Sequence, residues 1–265
     1  MKISVITVCK NAGNAIERTL LSVVSQNCFN ENIEYIIVDG ASSDKTVEII
    51  QQYADKYPIK WISEPDSGIY NAMNKGIKMA TGEYLLFLNA GDYLVHHNVI
   101  KSLMNLFETS EFDVIHGSVL YINPISEQYF VKTKKNPDIF FFFENSLAHQ
   151  AVFYKRTTFD RFGLYDEKFT ILADNVFNKK IFCDEYVATK HIDHIISVCT
   201  EDGVSSTNIT LLCKERKDFQ QRYFSKEDIY EVQKRITILK RDSKKSLLRF
   251  LSKMFSKLHK YWINR

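Results

Sequence analysis

The sequence predicts an α/β fold: a parallel, doubly wound sheet followed by a helical C-terminal extension. Three observations carry this. Through residue 92, short apolar runs alternate with stretches whose apolar residues recur at helical spacing. Polar, turn-forming residues close those runs, as at Asn11–Asn14, Asp39-Gly40 and Asn89-Ala90-Gly91-Asp92. No internal repeat, low-complexity stretch or Pro/Gly linker divides the chain, so one domain is expected over residues 1–205 and an extension over 206–265.

The elements follow in order. Ile3 to Cys9 is a continuous apolar run, a strand covered on both faces. Ala15 to Gln26 carries Ile16, Leu20, Val23 and Val24 on one helical face. Tyr35 to Val38 is a second strand. Ser43 or Asp44 is placed to cap the next helix, which turns Val47, Ile50 and Tyr53 inward. Lys60 to Ser63 is a third strand, Gly68 to Ala80 a helix ended by Thr81-Gly82, and Tyr84 to Leu88 a fourth strand. Beyond residue 110 the pattern loosens. Strands are expected over Asp113–Tyr121, Gln128–Lys132 and Ile195–Thr200, a strand or turn over Leu147–Lys155, and a short helix over Leu172–Phe182. Phe140 to Phe143 reads as core or a membrane-facing patch.

Composition excludes several classes. The 265 residues, 45% hydrophobic and 25% charged, are those of an ordinary globular protein, not a disordered one. Residues 240–265 hold nine Lys/Arg against one Asp, a net +8, so the total of +3 leaves −5 on the body. A mildly acidic body argues against nucleic-acid binding. Five cysteines (Cys9, Cys28, Cys183, Cys199, Cys213) with no C-x-x-C pair fit a reducing compartment, with neither a zinc site nor a disulfide framework. The N-terminal run lacks a small-residue cleavage site, and no stretch approaches the roughly 18 apolar residues of a membrane span. A cytoplasmic protein is expected, peripheral at the inner face of the cytoplasmic membrane if it meets a membrane at all.

In a parallel sheet, ligands sit beyond the carboxyl ends of the strands. Neither G-x-G-x-x-G nor G-x-x-x-x-G-K-[ST] occurs there, which removes the main support for dinucleotide-binding and P-loop readings. Acids stand there instead: Asp39, Asp66, Asp92 and later Asp174. A phosphate ligand beside that much carboxylate needs a divalent cation, Mg2+ or Mn2+.

The segments VITVCKNAGNAIERTLLSVVSQ, EYIIVDGASSDKT and ISEPDSGIYNAMNKGIKMATGEYLLFLNAGD together resemble glycosyltransferase family 2. They are most similar to the subgroup that builds bacterial O-antigen and capsular polysaccharides. The resemblance covers residues 1 to about 200. It implies a GT-A fold, a Rossmann-like mixed, mostly parallel sheet flanked by helices, and an inverting transfer from a nucleotide-sugar donor. By resemblance, Asp39 receives the base and ribose, and Val8 to Asn11 line the same pocket. Asp66 helps hold the nucleoside, and Gly68 admits the backbone close to the ligand. Asn71, Asn74 and Lys75 face the donor phosphates or sugar, with Asn89 also on the donor side. Asp92 matches the last acid of the D-x-D-type metal motif, holding Mn2+ or Mg2+. Asp174 matches the general base, and His149-Gln150 lies on the acceptor side. The implied acceptor is a saccharide carried on a polyprenyl diphosphate.

The sequence departs from that pattern twice. The metal motif has one carboxylate, and Val176 and Lys180 stand where the subgroup shows an acid and an Arg. Plainer readings stand beside the sharp ones: turn or loop residues at Asp39, Asp66 and Asp92, a helix N-cap at Asp174, a structural histidine at His149. Two other functions stay open, a nucleotidyltransferase, for which Cys9 to Gly13 is a poor phosphate loop, and an inactive sugar-nucleotide sensor or scaffold. In the tail, Leu247, Leu248, Leu251, Met254, Phe255, Leu258, Tyr261 and Trp262 recur at helical spacing among lysines and arginines. This pattern fits a basic amphipathic helix on an anionic membrane, or a helix packed on its own domain or a second subunit; a homo-oligomer is compatible with it.

Overall fold

The structure, a computed structural model, describes residues 1–109, 111–123, 128–200, 208–238 and 241. The basic tail from residue 242 onward therefore lies outside the described residues. In chain order the strands are β1 (Ile3–Cys9), β2 (Ile33–Asp39), β3 (Ile59–Ser63), β4 (Tyr84–Phe87), β5 (Tyr93–Leu94), β6 (Val114–Ile122), β7 (Tyr129–Lys132), β8 (Val152–Lys155) and β9 (Thr189–Thr200). The helices are α1 (Ile16–Val24), α2 (Phe29–Asn32), α3 (Thr46–Ala54), α4 (Ile69–Met79), α5 (Val99–Thr109), α6 (Ile139–Glu144), α7 (Arg156–Phe162), α8 (Ala173–Phe182) and α9 (Ile209–Tyr223).

Among the described residues these strands form one mixed sheet, ordered β3-β2-β1-β4-β8-β6-β9-β5, with β7 on β6. The first four strands are parallel, as their alternation with helices requires. Antiparallel β8 then joins β4 to β6, so the expected doubly wound α/β sheet continues as a mixed one. β1 and β2 bury every residue. Ile3, Val5, Tyr35, Ile37, Tyr84 and Leu86 pack in one core with α1, α3 and α5 residues. On the opposite face α4 comes so close that a Cβ on Gly76 would lie 2.5 Å from Ile6 Cγ2. Farther along, Tyr154 meets Phe159 and Phe177 edge-on, and those two rings stack with centroids 4.5 Å apart. Truncating such a ring costs about 3–5 kcal/mol.

One buried carboxylate of the sheet is fully supplied with donors. Glu34, 6% exposed on β2, accepts from Ser4 Oγ, Lys60 Nζ and Thr81 N–H and Oγ. Burial pushes its carboxyl up, but these donors outweigh that and hold it at about 2.

Several elements differ from expectation in detail. Neither α5 nor α7 is among the expected helices, and Leu147–Lys155 resolves into a 3-10 turn (His149–Ala151) leading into β8. β9 begins at Thr189, six residues before the predicted start. Phe142 and Phe143 are buried, the core reading of that aromatic run. All five cysteines are free. The chain divides into two compact units, residues 1–217 and 218–265, and the boundary falls inside α9. In the second unit residues 226–238 are helical, and Phe219 packs edge-on against Phe224 with centroids 5.2 Å apart.

Candidate active site

The carboxyl ends of the parallel strands line up side by side. Cys9, Asp39 and Ser63 are register partners across β1, β2 and β3, and Ala90 N–H reaches Val8 O at 3.1 Å. Chain reversals after each strand place polar side chains on this rim.

The Asp39 carboxylate is fully buried. It accepts from Ser42 N–H at 2.9 Å, Ser63 Oγ at 2.7 Å, Cys9 Sγ at 3.5 Å, and Ser42 Oγ. In this arrangement it organises the loop that leaves β2. Asp66 lies directly over that loop, since a Cβ on Gly40 would sit 2.2 Å from Asp66 Oδ2. A side chain at residue 40 would require the Asp66 carboxylate to shift. Asn11, in the left-handed region at φ 49°, joins the first and second loops: its N–H donates to Ser42 Oγ and its Oδ1 accepts from Ser43 N–H. Asp44 accepts from Gly13 N–H and from Thr46 N–H just ahead of α3, but Lys45 holds the N-cap position without a side-chain cap bond, so neither Ser43 nor Asp44 is the expected cap.

The other residues expected on the donor side are spread around α4. Gly68 precedes the helix at φ 140° with open space where a Cβ would point, and Asp66 Oδ1 accepts its N–H at 3.0 Å. Asn71 and Asn74 donate to Glu167 at 2.9 Å each, and Asn74 also exchanges hydrogen bonds with the Tyr165 backbone. Lys75 reaches Pro65 O at 2.7 Å and Glu64 at 2.8 Å. These three side chains therefore join α4 to the 165–167 segment and the 64–66 loop.

The loop from Asn89 to Asp92 is fastened from α1. Arg18 donates to Gly91 O, Thr19 Oγ donates to Asp92 O at 2.7 Å, and Gly91, at φ 101°, donates its N–H to Thr19 Oγ at 2.9 Å. Arg18 also lies 4.8 Å over the Tyr93 ring, beside an open cavity of about 610 Å³ between α1 and β5 that contains none of the four acids. Asp92 Oδ2 accepts from Gln150 Nε2 at 2.9 Å. Burial raises the pKa of Asp92. Asn89 Oδ1 is buried with no hydrogen-bond partner among the described residues.

Asp174 lies in the first turn of α8, 7% exposed. It is not the cap: Leu172 holds that position and makes no side-chain cap bond. Asp174 Oδ1 accepts from Tyr70 OH at 2.8 Å and from Asn175 N–H at 2.8 Å, and Oδ2 lies 3.2 Å from His149 Nδ1. His149 Nε2 lies 3.0 Å from Asn89 Nδ2. Because an ionised carboxylate only accepts, Nδ1 carries the proton and Nε2 accepts from the amide. Burial and the Asp174 charge push the Tyr70 phenol well above its ordinary range, so Tyr70 stays a donor. The predicted acceptor-side residues thus touch both halves of the site: His149 bridges Asn89 to Asp174, and Gln150 holds Asp92.

Two residues escaped the sequence reading. Glu167 receives Asn71, Asn74 and Ser67. Glu215, on α9 and 7% exposed, accepts the N–H groups of Thr170, Ile171 and Leu172 at 2.6, 2.9 and 3.1 Å, holding the turn that enters α8. No local motif marks either residue.

On the loop expected to carry the metal motif, the Asp92 carboxylate and Asn89 Oδ1 are oxygen donors of the hard type a divalent cation takes. Among the described residues no three His, Cys, Asp or Glu side chains converge as a self-sufficient metal centre.

The family model described as glycosyl transferase family 2 matches residues 4–170. The PGL/p-HBAD biosynthesis glycosyltransferase of Mycobacterium tuberculosis (strain ATCC 25177 / H37Ra) is 30% identical over 209 residues, 78% of this chain and 79% of that protein. Two solved structures share the fold. S. aureus TarS 1–349 in complex with UDP superposes with a TM-score of 0.61 at 21% identity, covering 88% of this chain and 63% of that one. The mannosyltransferase PcManGT from Pyrobaculum calidifontis, in complex with GDP-Man and Mn2+, gives 0.63 at 15% identity, over 87% and 67%. This chain is thus GT-A-like in fold and spans under two thirds of the TarS fragment.

Proposed function

The chain belongs to glycosyl transferase family 2 and is a glycosyltransferase, and from that premise we propose an inverting transfer of one sugar from a nucleoside diphosphate donor to a saccharide hydroxyl. The observation that carries this reading is the connection of Asp174, through His149, to the strand-end rim at Asn89. Asp174 takes the proton of the acceptor hydroxyl as that oxygen attacks the anomeric carbon and the bond to the nucleoside diphosphate breaks. His149 and Tyr70 fix the carboxylate for that attack. The rim over Asp39 and Asp66 receives the nucleoside, with Val8, Asn11 and Gly68 shaping it, and Asn71, Asn74 and Lys75 set the position of the adjoining loops.

Asp92 and Asn89 would hold Mn2+ or Mg2+ together with donor phosphates. Bound there, the cation would neutralise charge on the departing diphosphate. Uridine and guanosine diphosphate sugars are the donors to test first, given the ligands of the two structural neighbours. The acceptor we propose is a lipid-linked saccharide of a surface polysaccharide, approached from the membrane. Among the described residues no helix is long and apolar enough to cross a bilayer; the basic tail supplies the contact.

Thermal-shift screening of UDP-, GDP- and dTDP-sugars with and without Mn2+, followed by donor hydrolysis, tests the reading. Stabilisation with slow hydrolysis is the expected result; stabilisation without turnover would favour the inactive sensor instead.

A further inference from the structure

The open cavity of about 610 Å³ between α1 and β5 has no part in the chemistry above. Its volume falls within the roughly 300–1000 Å³ of small-molecule sites. One wall is the outward stripe of α1, where Glu17, Arg18 and Leu21 share a helical face. Tyr53 of α3 also lines it, with its hydroxyl 3.4 Å from Glu17 Oε1. Tyr93 of β5 and the turn at His96 and His97 form another wall.

These walls are tied together by the fold itself. Leu94 N–H donates to Ser22 Oγ at 3.2 Å, Gln26 Nε2 to His96 O at 2.9 Å, and Asn27 N–H to His97 O at 2.9 Å. Arg18 lies 4.8 Å over the Tyr93 ring and donates to Gly91 O. The same side chain therefore lines the cavity and holds the residue next to Asp92.

The lining selects a class of ligand. An ordinary histidine is mostly neutral above about pH 7, which leaves Glu17 and Arg18 as opposite charges that cancel. That disfavours a phosphate, a nucleotide or an anionic lipid headgroup. Ser22, Ser25, Asn14 and the tyrosine hydroxyls mix donors with acceptors, which an alkyl ligand could not use. Leu21, 54% exposed, and the tyrosine rings add apolar surface. A neutral ring compound with many hydroxyls and apolar faces meets all three conditions.

We propose that this cavity binds a neutral oligosaccharide and that Arg18 transmits its occupancy to the Asn89–Asp92 loop. Two sources share this chemistry: sugars of the acceptor remote from the reacting hydroxyl, and a separate saccharide acting as an effector. Binding here needs neither Asp92 nor Asp174; only its consequence for transfer rests on the reaction proposed above.

The test is an array of neutral and acidic oligosaccharides, probed with the full chain without donor or metal. Neutral oligosaccharides should bind. Leu21→Trp, which fills the cavity from its exposed side, and Glu17→Ala should each weaken the best of them about tenfold in calorimetry, with folding checked by circular dichroism. Either variant carries the test if the other folds poorly. At saturating saccharide, hydrogen exchange at residues 89–92 should slow, and Arg18→Ala should abolish that protection. Protection that persists in Arg18→Ala would overturn the link to the loop. Incubating the bound saccharide with UDP- and GDP-sugars separates the sources: a mass gain of one sugar marks the acceptor, and an unchanged mass the effector. Binding of acidic oligosaccharides alone, no binding, or unchanged affinity in the folded variants would overturn the site. Donor hydrolysis by the unmodified protein is measured separately, so failure of the transferase reading shows up on its own.

Discussion

His149 Nδ1 lies 3.2 Å from Asp174 Oδ2, and the opposite ring nitrogen reaches Asn89. One imidazole thus ties the Asn89–Asp92 loop to the carboxylate proposed as base.

Asp174→Asn keeps the size of the side chain and its contact with Tyr70 but removes the proton acceptor. Transfer should fall about 10²–10⁴-fold, while UDP affinity by calorimetry changes less than about twofold. Retained turnover would remove Asp174 from its role.

His149→Ala removes the bridge. We expect kcat to drop about tenfold, the worth of a charge-assisted hydrogen bond, with donor KM nearly constant. His149→Gln should recover part of the loss, because an amide can still donate to Asp174. A change confined to KM would place His149 on the donor alone.

Asp92 gives a stability prediction as well as a functional one. Its pKa is raised by burial, so the folded protein holds a proton there more tightly than the unfolded chain does. Stability without metal therefore falls as pH rises through the window above the ordinary aspartate value. Asp92→Asn should raise the melting temperature of the metal-free protein at pH 7 and abolish any shift produced by Mn2+. A Mn2+ response that survives would move the cation elsewhere.

Glu34 predicts the opposite slope. Its carboxyl is held at about 2 against an ordinary 4.5. Its contribution is therefore full above pH 4.5 and lost as pH falls from there through 2, on the order of 2 kcal/mol once solvent screening is allowed for. Glu34→Gln should flatten the acid limb of a urea-denaturation series, and an unaltered limb would contradict the assignment.

Glu215→Ala would leave three N–H groups at residues 170–172, two of them buried, without an acceptor. A destabilisation of about 1–3 kcal/mol, with faster proteolysis near residue 170, is the expected outcome. Transfer should fall more than UDP binding, because the turn feeds Asp174.

The parallel half of the fold was legible because each of its strands and helices announces itself within about ten residues. Ile3–Cys9 can be read alone as a buried strand, and Asp39-Gly40 alone as a reversal. The site was legible only as far as such local signals reach. Asn71 and Asn74 were read as facing a ligand, yet their partner in the fold is Glu167, more than ninety residues away. Glu215 meets Ile171 across 44 positions. No period or motif encodes a pairing of that kind; it arises when α8 and α9 find their places. Asp174 shows the same limit: its position near a helix start suggested a cap, and only the contacts with Tyr70 and His149 set it apart.

The Glu215 clamp also bears on how the protein is made. A growing polypeptide that has passed Asp174 still lacks the residue that holds the turn before it. At roughly 5–20 residues per second the wait is a few seconds, during which the portion proposed to face the nucleotide can settle ahead of the one proposed to face the acceptor. A ribosome-bound fragment ending near residue 200 should therefore capture a sugar donor before it can deliver it.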